Sequence, residues 1–343
     1  MQLLSTAQGV DTLRHVNLSA LSEPPRFEDV DALVAPALAH VERALKQAAA
    51  EGEAPATKAA EHLIASGGKR VRPLALLLSA ACFGPLDERA RELAAVVEMV
   101  HVATLLHDDV IDDSDERRGR PTARRVYGNA VSVLAGDLML THALDRTFKA
   151  APALMGDLLV TLRRLVDGEV LQLRGRVSLD LSAATYDRIL SAKTASLFGF
   201  AAGAGARLNG ADEATVAALT NFGERLGMAF QLVDDVLDYE GDPRHTGKGL
   251  LGDLREGKVT LPLALAAADR PALGADAALA RDGDVEAAVR VAEEVRASGA
   301  CREARARARA TTDSALASLH RVPASPARSL LEQVAVALTR RER

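Results

Sequence analysis

Two stretches of this chain, VDALVAPALAHVERALKQAAA at 30–50 and ERARELAAVVEMVHVATLLHDD at 88–109, return an apolar residue every three or four positions and are rich in Ala, Leu, Glu and Arg. That is the period of an α-helix with a face in a core, built from residues that lose little freedom on becoming helical. No series of alternating β-branched residues competes with it. Gly and Pro gather instead at a few breaks, SGGKRVRP, FGPLD, RRGRPT, EGDPRHTGKG and RVPASPA. The pattern predicts an all-α chain. No low-complexity linker divides the 343 residues, and 48% apolar residues are ample for one large core. We expect residues 1–25 to form a flexible lead-in and 26–343 a single helical domain. The loosest patterning falls at 267–313, a stretch expected to begin with a long loop.

Composition excludes several kinds of partner. A net charge of −5 gives no basic field for nucleic acid, and aromatic residues able to stack on bases are only 3% of the chain. Cys82 and Cys301, the two cysteines, lie far apart, which suits reduced thiols in a cytoplasmic protein rather than a disulfide scaffold. The opening MQLLSTAQGVDTLRHVNLSA lacks the plan of a secretory signal. The longest apolar run, PLALLLSAACFG at 73–84, is far short of the ~20 residues that span a bilayer.

The first helical stretch to carry chemistry ends in LLHDDVIDDSDERRGRPT, with six acidic residues in the nine positions 108–116. On a helix Asp108 and Asp112 stand one turn apart with Asp109 beside them, so three carboxylates reach one region of space. A solvated acidic face would account for one such cluster. The spacing then recurs in FQLVDDVLDYEGD at 230–242, as Asp234, Asp235 and Asp238, again at the end of an apolar helical run. Two acidic rims at the mouth of a shared cavity could hold hard cations such as Mg²⁺ against the oxygens of a phosphate ligand.

Basic residues accompany both motifs. Gly67 and Gly68 should stop a helix and leave Lys69, Arg70 and Arg72 on a turn suited to an anion; Arg117 and Arg118 follow the first acidic motif, and Lys248 and Lys258 the second. Binding of a diphosphate uses that mixture, with guanidinium forks and ammonium groups on some oxygens and carboxylate-held metal on the rest.

The ordered series GGKRVRP, EMVHVATLLHDDVIDDSDERRGRPT, GNAVSVLAGDLML, GEVLQL, KTASLF, GMAFQLVDDVLDYEGD and GKGLLGDLREGKVTLPL resembles the trans-isoprenyl diphosphate synthases, the polyprenyl synthetase family, from about residue 60 to 265. The resemblance implies a single-domain isoprenoid-synthase bundle around a central apolar cavity, and a homodimer, for which the Ala/Leu-rich helices around 130–170 could supply the interface. It implies that Asp108, Asp109, Asp112, Asp234, Asp235 and Asp238 hold roughly three Mg²⁺ on the diphosphate of an allylic substrate. Arg117 matches a contact to that diphosphate. Lys69, Arg72, His101 and Arg118 match the pocket for isopentenyl diphosphate, and Lys193, Thr194, Gln231, Lys248 and Lys258 match positions around the allylic site. One departure is Gly252 ahead of Asp253, where the family often has two aspartates.

The implied chemistry is ionisation of the allylic C–O bond, attack by the isopentenyl double bond and loss of a proton to the released diphosphate, with Lys193, Thr194 and Gln231 steadying the cation. The two acidic motifs with Lys193 and Gln231 form the expected catalytic set. Product length would follow from the wall below the first motif, Thr104, Ala103, Val100 and Val97, which contains no aromatic plug; Phe148 or Met139 could form a deeper floor. We therefore expect a long-chain product of about seven to ten units for a quinone side chain, limited by the depth of an apolar pocket, and peripheral membrane contact for product release. The rivals are a short-chain farnesyl or geranylgeranyl synthase, a terpene cyclase and a regulatory subunit of a heteromeric synthase. Cyclases carry Asn, Ser or Thr with Glu in their second motif, and regulatory subunits lack one or both acidic motifs.

Overall fold

The computed structural model describes residues 27–240 and 252–339, with side chains described from residue 33; the expected lead-in and Lys248 lie outside the described residues. The first half runs through α1 (Phe27–Ala50), α2 (Ala56–Ile64), α3 (Val71–Ala81), α4 (Glu88–Ile111), a hairpin of β1 (Glu116–Arg117) and β2 (Arg120–Pro121), α5 (Ala123–Tyr127) and α6 (Asn129–Ala150). After α7 (Met155–Ser178) and α8 (Ala183–Ile189), a π-helical turn at Leu190–Ala195 leads into α9 (Ser196–Leu208) and α10 (Glu213–Glu240). The chain closes with α11 (Gly252–Arg255), α12 (Leu261–Asp269), α13 (Leu273–Arg281), α14 (Val285–Ser298), α15 (Ala300–Ser318) and α16 (Pro326–Thr339). The all-α expectation holds, and the stretches read as helices at 30–50 and 88–109 are α1 and α4.

The segment 267–313 differs from expectation. It holds the end of α12, α13, α14 and most of α15, joined by tight turns rather than a long loop. Pro271, Gly283 and Gly299, which interrupt the helical pattern, sit between the helices, and Asp284 caps α14 by accepting from the Ala287 N–H at 2.9 Å. Short helices with small apolar faces carry a weak periodic signal, and here those faces, Ala277, Ala287, Val291, Val295 and Ala304, are buried together.

Burial falls into two clusters. One joins α1–α7, α9, α16, the first half of α10 and the end of α15; the other joins the second half of α10 with α8, α11–α14 and the first half of α15. α4 is the axle of the first. From Leu93 to Val100 every residue is buried, so this helix is apolar nearly all round. Its polar exception, Glu98, pairs with Arg70 at 2.6 Å. Asp87 caps the start of α4, accepting from the Ala90 N–H at 3.0 Å, and the left-handed Asp113 (φ 52°) follows its end. α9 packs between α3 and α10. A Cβ on Gly223 of α10 would come within 2.3 Å of the Phe198 carbonyl oxygen, so only glycine allows that crossing.

Candidate active site

The first acidic motif closes α4, and each aspartate meets a cation. Lys193 Nζ lies 3.3 Å from Asp108 Oδ2. Arg117 reaches Asp109 Oδ1 through Nε at 2.9 Å and Nη2 at 2.8 Å. Asp112 accepts from Arg176 Nη1 on Oδ1 at 2.7 Å and from Lys258 Nζ on Oδ2 at 2.6 Å. Burial alone would raise the Asp112 carboxyl, but Lys258, Lys193 and Arg176 outweigh it and hold it below the usual carboxylate range. Asp109 moves the other way: burial, with Asp108 and Asp112 nearby, raises it despite Arg117.

Local structure explains these pairings. Arg117 is placed by the hairpin, whose turn residues Arg118 and Gly119 both have positive φ (54° and 72°), as a tight two-residue loop requires. The same turn directs the Arg118 guanidinium to the carbonyl of Gly67, behind the Lys69–Arg72 turn. Lys193 and Thr194 lie on the π-helical turn, a distortion of the i→i−4 ladder that recurs at functional sites. α7 comes hard against that turn at Gly168, where a Cβ would meet the Lys193 backbone N at 2.8 Å. The close approach brings Glu169 into an ion pair with Lys193.

The second motif has a different character. Asp235 is 2% exposed and accepts on both oxygens, from Gln231 Nε2 at 2.8 Å and Tyr186 Oη at 2.6 Å. Burial pushes its carboxyl up to about 7, with Asp253 and Asp234 adding repulsion that the two donors only partly relieve. Asp238 accepts from the backbone N–H groups of Gly252 and Asp253, at 3.2 and 3.4 Å, where α11 begins. Asp253 acts electrostatically on Lys258 as well as on Asp235, so the 252–258 segment links the two rims. Lys258 also pairs with Glu256 at 2.6 Å, and together with Asp253 and Asp112 that carboxylate raises the ammonium despite its burial.

A basic pocket lies beside the first rim. His101 is held well below its ordinary pKa by burial and by Arg72, Arg117, Arg118 and Arg70, so it is a neutral imidazole among four guanidiniums. Arg72 lies 4.7 Å over the Phe198 ring, with a buried Nε that has no hydrogen-bond partner, and feels both Glu98 and Asp234. Lys69 Nζ stands 5.9 Å over Phe230. The structure thus places Arg72 and Arg118, of the residues expected around the second diphosphate, near His101, together with Arg117, expected on the allylic one, and Asp234 of the second rim acts on Arg72 as well.

Several expectations change. Arg70 does not stand on the turn awaiting an anion: it is 6% exposed and spent on Glu42 at 2.5 Å and Glu98 at 2.6 Å, which anchors the turn. Asp235, expected among the metal ligands, accepts from the neutral donors Tyr186 and Gln231, where the likewise buried Asp112 of the first motif accepts from two cations. Of the wall, Val97 and Val100 are 0% exposed and Ala103 2%, while Thr104 is half-buried and donates to the His101 carbonyl at 2.8 Å. Met139 is buried, but Phe148 is 67% exposed and cannot floor a cavity: it lies on the outward face of α6. Sequence reading also passed over Glu169, Arg176, Tyr186 and Glu256. Glu169 lies in GEVLQL and Glu256 in GKGLLGDLREGKVTLPL, two motifs of the resemblance that assign these glutamates no role, whereas Arg176 and Tyr186 lie outside every motif.

Among the described residues no three acidic or histidine side chains converge as a ready metal cage. The donor set nonetheless fits a hard divalent cation. All its atoms are carboxylate oxygens, and Asp109 Oδ2 is buried without a hydrogen-bond partner.

An all-α bundle with two aspartate-rich helix ends, linked through Asp253 and Lys258 and set beside an arginine-rich pocket, is an isoprenoid-synthase fold. The chain belongs to the polyprenyl synthetase family, whose model matches residues 53–294, and it is a prenyl-transferring polyprenyl diphosphate synthase. It is 36% identical over 307 residues to heptaprenyl diphosphate synthase component 2 of Geobacillus stearothermophilus, covering 89% of this chain and 96% of that one. It is also 36% identical over 286 residues to octaprenyl diphosphate synthase of Escherichia coli K12, with coverage of 82% and 88%. A polyprenyl synthase from Caulobacter crescentus CB15, solved with calcium and isoprenyl diphosphate, superposes with a TM-score of 0.85 at 38% identity, over 94% of this chain and all of that one.

Proposed function

We propose that this enzyme condenses isopentenyl diphosphate with an allylic diphosphate in trans, with Mg²⁺, and repeats the step to a product of about seven to ten units, the length an unplugged apolar wall would permit. The observation that carries the reading is the pairing of Asp108, Asp109 and Asp112 with Lys193, Arg117, Arg176 and Lys258. A carboxylate-only metal buffer has no use for those cations; a site for metal-bound diphosphate has. That the Caulobacter polyprenyl synthase was solved in complex with calcium and isoprenyl diphosphate supports it.

Asp108, Asp109, Asp112, Asp234 and Asp238 would hold the metal, and Asp235 would steady the helix end between them. Bound there, Mg²⁺ would neutralise charge on the departing diphosphate. Arg117, Lys193 and Lys258 would share that diphosphate, while Lys69, Arg72, His101 and Arg118 would seat the second one. A neutral His101 donates a hydrogen bond without adding to the local positive charge. Val97, Val100 and Ala103 exclude water from the growing chain. The condensing carbocation loses its proton to the released diphosphate.

The apolar residues exposed along α6 and α7, among them Leu134, Phe148, Val160, Val166 and Val177, would be covered by a second copy in a homodimer. A second reading is favoured by the name of one relative, a component 2: the same face would then take a different subunit. Purified chain, Mg²⁺, labelled isopentenyl diphosphate and allylic primers of different lengths should give a reversed-phase ladder ending at about seven to ten units if the wall sets the length. Stopping at farnesyl or geranylgeranyl length would overturn the long-chain assignment, and no product from any primer would favour the two-component reading.

A further inference from the structure

Arg176 lies in the last turn of α7, outside every motif, where an arginine ordinarily just meets solvent and the helix dipole. Here its Nη1 donates to Asp112 Oδ1 at 2.7 Å and to the Ile111 carbonyl at 3.3 Å, and its side chain is 17% exposed. The other Asp112 oxygen belongs to Lys258. A carboxylate with a side chain only 2% exposed is therefore gripped by two cations from two different elements.

The two cations are not equivalent. Lys258 has a second carboxylate, Glu256, also at 2.6 Å, to balance its charge. Among the described residues Arg176 has Asp112 as its one ion-pair partner. A divalent cation placed on Asp112 would leave the Arg176 guanidinium half-buried without an anion, and an uncompensated charge in such a place is costly. A diphosphate arriving with the metal would remove that penalty, because its oxygens match the guanidinium fork.

We propose that Arg176 is a positioning residue that couples metal loading to diphosphate binding, opposing a divalent cation on Asp112 when no diphosphate is present and reinforcing it when one is. The coupling rests on the assignment of Asp112 to metal binding. Because linkage is reciprocal, it has two faces that can be read without turnover. The full chain is compared with Arg176→Gln and Arg176→Lys, each first checked for native helicity by circular dichroism. One measurement is the binding of Mn²⁺ to the protein alone, followed by the paramagnetic signal of the free ion; the other is calorimetric binding of the preformed Mg²⁺ complex of methylenediphosphonate.

Arg176→Gln should bind Mn²⁺ alone on the order of fivefold more tightly and the metal–diphosphonate complex more weakly by a similar factor, the usual size of a coupling between sites. Arg176→Lys, which keeps the charge, should stay near the wild type in the first measurement and fall between the two in the second. Unchanged or weaker Mn²⁺ binding by Arg176→Gln would refute the coupling while leaving the metal site standing. Tighter Mn²⁺ binding with no loss on the complex would also refute it, reducing Arg176 to an obstacle. Failure of the wild type and both variants to bind either ligand would overturn the metal assignment and the coupling together.

Discussion

The two aspartate motifs share a spacing and differ in what surrounds them. At the end of α4 every aspartate faces a cation, and Asp112 stays ionised because Lys258, Lys193 and Arg176 outweigh its burial. At the end of α10 the most buried aspartate, Asp235, faces neutral donors, Tyr186 and Gln231, and its carboxyl is pushed up to about 7. In the proposed function, a carboxylate among cations would exchange them for a metal. One among hydroxyl and amide donors would stay where it is and steady the end of α10.

The most severe test of that contrast is by truncation. Asp108→Ala and Asp234→Ala should each lower turnover by roughly 10²–10³-fold or more, the scale of losing a preorganised charge-stabilising group, whereas Asp235→Asn should retain much more activity in the same Mg²⁺-dependent assay. Equal losses at all three positions would erase the distinction between the rims.

A smaller effect is expected from Tyr186→Phe, which leaves Asp235 Oδ2 buried without its donor. Denaturant titration should show a loss of about 1–3 kcal/mol, the cost of an unsatisfied buried acceptor. A neutral result would show that the donor does not steady the second rim.

The pH dependence sharpens the same point. Burial, named first among the causes, sets the folded Asp235 at about 7, above the value of about 3.9 of an unfolded chain. The folded state therefore holds this proton more tightly. Its contribution to stability is complete below pH about 4, declines as the pH rises to about 7 and is constant above. In metal-free buffer Asp235→Asn should remove that part of the decline, read as the change in melting temperature with pH; an unaltered slope would place the titration elsewhere. The smallest expected effect on rate is that of Ala103→Phe, which should shorten the product with turnover largely retained. Phe148→Ala, on the exposed face of α6, should leave product length as it is.

Much of the site was legible because its signals are local. A repeated DDxxD at the end of an apolar helix, a basic turn after paired glycines and arginines after an acidic run are fixed by a few neighbouring residues, and the fold class follows from periodicity alone. The segment at 267–313 was less legible because its helices are short and their apolar faces, made mostly of alanine and valine, are defined only when packed together. Arg70 and Phe148 were misplaced for a related reason. A basic residue on a turn looks the same whether it meets solvent or the Glu42–Glu98 pair, and an aromatic at helical spacing does not announce which side of the helix is covered.

The sequence by itself determined an all-α chain, two acidic rims and the basic residues that accompany them, since each depends on spacings within one or two helical turns. Only the tertiary structure decided which cation meets which carboxylate. Lys193 reaches Asp108 from a π-helical turn 85 positions along the chain, and Lys258 and Arg176 reach Asp112 across 146 and 64. Such pairings depend on close approaches like that of Gly168 to the Lys193 backbone, and the charge state of a buried aspartate depends on them in turn.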